Sequence, residues 1–170
     1  RGLSASLVGQ ILVEESVLGW EELELEVVRD SKNQMITVCF IENVDAMGIH
    51  TGDSYCTAPM LTIDPELQQR LQNYAYNIVE AIEVIGGTNI QFAHDPETGR
   101  VVVIEINPRT SRSSALASKA TGFPIALISA MLAGGLTLDE IPYWREGTLD
   151  KYIPWGEYVV VKFARWGFEK

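Results

Sequence analysis

The stretch Glu22-Leu23-Glu24-Leu25-Glu26-Val27 alternates strictly, with a carboxylate at every even position and an aliphatic side chain at every odd one. This is the period of a half-buried strand with one apolar and one charged face, because successive side chains of an extended chain point to opposite sides. A polar turn over 30–34 follows, and 35–41 reads as the antiparallel partner, which makes a hairpin. Upstream, Ile11-Leu12-Val13 reads as a short apolar strand ending at Glu14-Glu15. Downstream, a polar loop over 42–54 contains Gly48 and Gly52, and loops this long in compact domains are usually functional or disordered.

The second half adds helices. Asp64 and Pro65 supply an N-cap and a proline at the first helical position. Leu67, Leu71, Tyr74, Ala75, Ile78 and Ile82 then recur on one helical face, and Gly86-Gly87 is expected to close the helix as its C-cap. A second hairpin follows, with strands over 89–93 and 101–106 joined by a turn over 95–99. Beyond Asn107-Pro108-Arg109, helices are expected over 113–120 and 124–133, the latter stopped by Gly134-Gly135. Thr137 and Glu140 form a capping-box pair for a short third helix, and 158–163 reads as a final strand. No repeat or linker interrupts the chain. Its 170 residues suffice for one sizeable core, so 1–170 is read as a single α+β domain, an antiparallel sheet flanked by helices.

The second hairpin carries the chemistry. By alternation Val101, Val103, Glu105 and Asn107 share a face, and Asn89, Gln91 and Ala93 share one on the partner strand. Glu105 is an acid within an apolar strand, a costly position unless it is paired or metal-bound. If Gln91 lies opposite Glu105, three oxygen-bearing side chains converge; a ladder running to 95 opposite 101 gives that pairing, and a slip of one residue destroys it. Carboxylate and amide oxygens suit a hard divalent cation that keeps phosphate oxygens as further ligands. Arg109 is placed to clamp a phosphoryl oxygen. The alternative is a structural ion pair of Glu105 with Arg109 or Arg112.

Other residues are less specific. Glu22, Glu24 and Glu26 read as a solvated sheet face, or as acceptors for ribose hydroxyls. His50 is a loop histidine between two glycines that would let backbone approach a ligand. Nothing catalytic is read at His94. Cys39 and Cys56 show no partner pattern for a disulfide, metal or nucleophile, so a cytoplasmic setting is the default. A net charge of −10 with no basic patch argues against nucleic acid, and no apolar run approaches the roughly 20 residues that span a bilayer. No Walker-type glycine loop or dinucleotide fingerprint occurs.

Read together, longer motifs resemble a known family. Glu15-Ser16-Val17-Leu18-Gly19-Trp20, Met47-Gly48-Ile49-His50-Thr51-Gly52-Asp53-Ser54, Asn89-Ile90-Gln91-Phe92-Ala93 and Ile104-Glu105-Ile106-Asn107-Pro108-Arg109 are similar to the ATP-grasp module of carbamoyl-phosphate synthase. Residues 111–122, beginning Ser111-Arg112-Ser113-Ser114, extend the similarity and resemble the first, carboxyphosphate-forming copy in the large subunit of that family. The resemblance implies the C-terminal portion of an ATP-grasp fold. It implies Gln91, Glu105 and Asn107 as ligands of two Mg2+ or Mn2+ ions, with Glu105 bridging, and Arg109 beside the transferred phosphoryl group.

It also implies nucleotide contacts at Glu15, Val17, Glu22, Gly48, Ile49 and His50, and a K+ site at Glu22, Asn43, Asp45, Ala46 and Ser54. The implied reaction is attack of bicarbonate on the γ-phosphate of ATP, with ammonia from a glutaminase small subunit and the remainder of the large subunit as partners. The family's upstream lid lobe does not precede Arg1, so the isolated chain is expected to bind Mg-ATP weakly and to turn over little. A biotin carboxylase-like ligase and a non-catalytic interaction domain are the competing readings.

Overall fold

The computed structural model describes residues 1–50 and 53–169. Six antiparallel strands form one sheet: β1 (Glu21–Arg29), β2 (Met35–Asn43), β3 (Cys56–Ala58), β4 (Gly86–His94), β5 (Val101–Asn107) and β6 (Val160–Lys162), in the order β5-β4-β1-β2-β3-β6. After a short α1 (Gly2–Ala5), helix α2 (Pro65–Ala81) covers one face of the sheet. Helices α3 (Arg112–Thr121) and α4 (Ile125–Ala133) cover the other.

The alternation in β1 decides which side chain goes where. Leu23, Leu25 and Val27 point to α2 and pack with Ile90, Phe92, Leu71 and Val79, all essentially inaccessible. Each such side chain contributes about 1.5–3 kcal/mol on burial. Val28 joins the second core, beneath α3 and α4, with Phe123, Ile128 and Leu138. Glu22, Glu24 and Glu26 point to that same second side, and they are not solvated: their exposures are 3%, 1% and 0%. The half-buried strand with a charged outer face is therefore corrected to a strand buried on both faces. Part of the cause lies far along the chain, where Ser114 of α3 donates to Glu26, while Asn43 and Asn89 on the neighbouring strands donate to Glu24.

Helix α2 begins as expected, with the Asp64 carboxylate accepting from the Leu67 amide at 2.9 Å. It ends at Ala81 with Ile82 as cap, so Gly86-Gly87 is no C-cap; both glycines open β4. The reason is space: a Cβ on Gly87 would sit 2.9 Å from Ile125, so glycine lets α4 approach the strand. Tyr74 and Ile82 lie on the solvent side of the apolar stripe, 41% and 47% exposed. Residues 11–13 form no strand, having no partner among the described residues, and their side chains are exposed. Strand β3 was not anticipated, and the segment after Thr137 is a single 3-10 turn, Leu138–Glu140, that keeps the expected capping box.

Candidate functional site

The pairing of three neighbouring strands builds the floor. Glu105 stands opposite Gln91, which stands opposite Glu24; Asn107 stands opposite Asn89, which stands opposite Glu26. The expected register thus holds where the ligand candidates are. Nearer the turn it does not, because His94 pairs with Val101 rather than 95 with 101. A bulge at Gln91/Phe92 absorbs the difference by leaving Ile104 as the extra residue. It has a consequence for the faces: Val103 pairs with Phe92 and Val101 packs into the α2 core, so neither shares the face of Glu105 and Asn107.

The walls come from elsewhere. Arg109, Ser111, Arg112 and Ser113 border the floor from the start of α3, and His50 from the loop after β2. Ser111 caps α3 through a reciprocal box with Ser114. Lys162 of β6 enters the same pocket. Strands β5 and β6 are opposite edges of the sheet, five strand spacings or roughly 24 Å apart if flat, so the sheet must curl to bring Glu105 and Lys162 to one cavity.

Beneath the floor lies a hydrogen-bonded acid network. The Asn89 amide donates to both Glu24 (2.9 Å) and Glu26 (3.1 Å). Asn43 donates to Glu24 at 2.8 Å and the Ser114 hydroxyl to Glu26 at 2.9 Å. Burial pushes the Glu26 carboxyl up to about 7; donors at Ser113, Ser114 and Asn89 oppose this, and the charge on Glu24 adds to it. Such groups survive burial because each oxygen is satisfied.

Glu105 itself is exposed and is not a costly buried acid. It accepts from Asn107 Nδ2 at 2.9 Å, while Arg109 donates to Asn107 Oδ1 at 3.2 Å. No ion pair of Glu105 with Arg109 or Arg112 is present among the described residues. No three His, Cys, Asp or Glu side chains converge for a metal among the described residues either. A divalent ion here would have one carboxylate, two amide oxygens and phosphate oxygens. That is a hard, oxygen-only set suited to magnesium and not to zinc.

The two segments expected at the nucleotide lie side by side. Met47 N donates to Trp20 O at 2.8 Å and Gly19 N to Met47 O at 3.0 Å, which ties 15–20 to the loop at 47–50. Gly48 sits at φ +120°, and a Cβ there would fall 2.3 Å from Leu18. Gly48→Ala is expected to cost about 1–3 kcal/mol through backbone strain and to separate the two segments. Urea unfolding and nucleotide affinity of the variant test this, and an unchanged pair of values would count against it. The Glu15 side chain is engaged by Arg100 at 2.6 and 2.8 Å, and Arg100 stacks 5.7 Å from the Trp20 ring centroid.

Of the K+ candidates, Ser54 donates to Asn43 Oδ1 at 2.7 Å, and Asp45 accepts from the Tyr55 amide at 2.7 Å. Ala46 lies in the same loop, and Glu22 is buried in β1 opposite Ala93, outside the residues lining the pocket. Their oxygens are of the type a monovalent cation takes. Thr51 and Gly52 of the motif lie outside the described residues. Asn89 and Lys162 were not singled out from the sequence. Asn89 could have been found from register, since it precedes Gln91 by two, whereas nothing local marks Lys162.

A curled antiparallel sheet with an oxygen-rich floor and flanking helices is the C-terminal portion of the ATP-grasp fold. A Rhizobium etli pyruvate carboxylase structure superimposes with a TM-score of 0.65 at 20% identity, over 74% of this chain and 11% of that one. The biotin carboxylase domain of a thermophilic 2-oxoglutarate carboxylase, bound to bicarbonate, gives 0.64 at 20% identity over 76% and 29%. These define the fold class.

Sequence comparison is more specific. The family described as carbamoyl-phosphate synthase L chain, ATP binding domain, matches residues 2–141, and the chain belongs to that family. It is 58% identical to the carbamoyl phosphate synthase large chain of Thermotoga maritima over 172 aligned residues, and 55% identical to that of Helicobacter pylori over 171. All of this chain is covered in both alignments, and 16% of each relative.

Proposed function

We propose that these residues hold the metal–ATP end of the site at which bicarbonate is phosphorylated to carboxyphosphate, within an ATP-dependent ligase that makes carbamoyl phosphate. The observation that carries the reading is the register placing Gln91 opposite Glu105, with Asn107 hydrogen-bonded to Glu105 and Arg109 to Asn107. In the proposed step a bicarbonate oxygen forms a bond to the γ-phosphorus, the bond to the β–γ bridging oxygen breaks, and ADP leaves. Gln91, Glu105 and Asn107 would hold two divalent ions, Mg2+ or Mn2+. When bound, these ions neutralise charge on the transferring phosphoryl group.

The protein's own share is positioning. The segments 15–20 and 47–50 frame the base and ribose, with Glu15, Val17, Glu22, Gly48, Ile49 and His50 as contacts. Arg109 adds positive charge beside the phosphoryl oxygens and is braced by Asn107. Asn43, Asp45, Ala46, Ser54 and Glu22 are the proposed K+ residues. Ammonia from a glutaminase subunit would then convert carboxyphosphate to carbamate for the rest of the large chain.

Calorimetric titration of the 170-residue chain with ATP tests this reading. Weak binding that needs Mg2+ and is abolished by chelation supports it, and metal-independent binding or none contradicts it. Little ATP hydrolysis is expected from the chain alone, because phosphoryl transfer needs a site closed to water.

A further inference from the structure

The segment 15–20 carries two of the proposed nucleotide contacts, Glu15 and Val17, yet it belongs to no strand or helix. At its far end the main chain is tied to the loop after β2, through Gly19, Trp20 and Met47. Its near end is held by a side chain. Arg100 grips Glu15 in a parallel fork, Nη1 donating to Oε1 at 2.6 Å and Nη2 to Oε2 at 2.8 Å. The same guanidinium lies over the Trp20 ring, 5.7 Å from its centroid. One side chain therefore engages both ends of the segment, while Ser16, Leu18 and Gly19 between them are exposed.

Arg100 itself stands on a firm base. It closes the β4–β5 turn, where its carbonyl accepts from the Asp95 amide at 2.8 Å. The Asp95 carboxylate accepts from the Glu97 amide and the Thr98 hydroxyl, and Arg70 of α2 donates to the Gly99 carbonyl at 2.8 Å. Strand β5 starts at the next residue and leads on to Glu105 and Asn107. The extended chain from Arg100 to Glu105 is roughly 17 Å long. The hairpin that offers metal ligands at one end thus holds the segment 15–20 at the other.

Both members of the Glu15–Arg100 pair are exposed. Such a pair adds little to folding stability, because water screens it and two long side chains must be ordered. A bidentate fork nevertheless fixes direction as well as distance, so its consequence is geometric.

We propose that Arg100 is a positioning residue for the base end of the nucleotide. By clamping Glu15 and stacking on Trp20, it sets the segment 15–20 at a fixed distance from the metal ligands of the same hairpin. This rests on the proposed function above, and adds to it a residue that does not line the cavity.

The test uses the assembled ligase in which the proposed function places these residues. Bicarbonate-dependent hydrolysis gives the KM for ATP, and inhibition by Mg-tripolyphosphate gives the affinity for a ligand with no base. For Arg100→Ala the KM for ATP is expected to rise about tenfold, with the tripolyphosphate inhibition constant within twofold of wild type. Glu15→Ala is expected to raise the same KM and also to leave the inhibition constant in place. The double variant should lose no more than Arg100→Ala alone, because the two side chains act as one clamp.

A KM for ATP within twofold of wild type in Arg100→Ala overturns the proposal. So does a parallel weakening of ATP and tripolyphosphate, which marks a residue that only supports the hairpin, and so does full additivity of the two single variants. If Arg100→Ala does not fold, Glu15→Ala decides by the same two constants. Absence of bicarbonate-dependent hydrolysis in the wild-type enzyme would instead remove the proposed function itself, so the two failures are distinguishable.

Discussion

Replacing Glu105 with glutamine is expected to weaken Mg-dependent nucleotide binding by about 100-fold, equivalent to about 2.7 kcal/mol, and to leave the folded state nearly untouched. The two halves of that result have separate causes. Glu105 is the one carboxylate among the three ligand candidates, so the substitution removes the only negative charge they offer a divalent ion. Yet the side chain is exposed and its hydrogen bond to Asn107 joins two residues of the same strand, so stability should move by about 0.5 kcal/mol or less. Calorimetry with Mg-ATP gives the first quantity and urea unfolding the second. A large stability loss would mean that Glu105 is structural, and unchanged affinity would mean that the ion sits elsewhere.

Glu26 should behave in the opposite way, with a large effect on pH-dependent stability. Its carboxyl is raised to about 7 from about 4.5, chiefly by burial. Between those two values the folded chain keeps a proton that the unfolded chain has lost. The stability linked to this group is therefore complete below about pH 4.5 and lost as the pH rises through 7. The gap corresponds to about 3 kcal/mol. Glutamine does not titrate, and its carbonyl oxygen can still accept from Ser114, although its amino group then faces that of Asn89.

The difference in unfolding free energy between wild type and Glu26→Gln should accordingly shift by about 3 kcal/mol between pH 4.5 and pH 8, in favour of the variant at the higher pH. Carboxylates held low, such as Asp95 and Asp139, act with the opposite sign but are common to both proteins and cancel. Denaturant titrations at the two pH values measure this. A difference that stays constant would show that Glu26 titrates normally.

Much of the architecture follows from local pattern. The β1–β2 and β4–β5 hairpins, the Asp64 cap, the two helices after Arg109 and the capping box at Thr137 all stand where spacing and capping chemistry put them. So does the encounter of Gln91 with Glu105, because a two-residue period and a short turn leave few registers. The glycines at 86 and 87 mislead for a physical reason. Glycine after an apolar helical stripe usually marks a cap, but Gly87 makes room for α4 and Gly86 takes a positive φ at the start of β4, and no local signal separates these uses.

The sequence by itself determined which side chains share a strand face, since that depends only on the alternation of an extended chain. Tertiary structure decided what each face meets. Glu22, Glu24 and Glu26 look like a wet surface until the sheet closes around them: Asn43 and Asn89 reach Glu24, and α3, some 90 residues later, brings Ser114 to Glu26. A single bulge turns Val101 and Val103 away from Glu105. Lys162 joins the cavity only because the sheet curls edge toward edge. Burial and convergence are properties of contacts between distant parts of the chain, and periodicity within a strand cannot encode them.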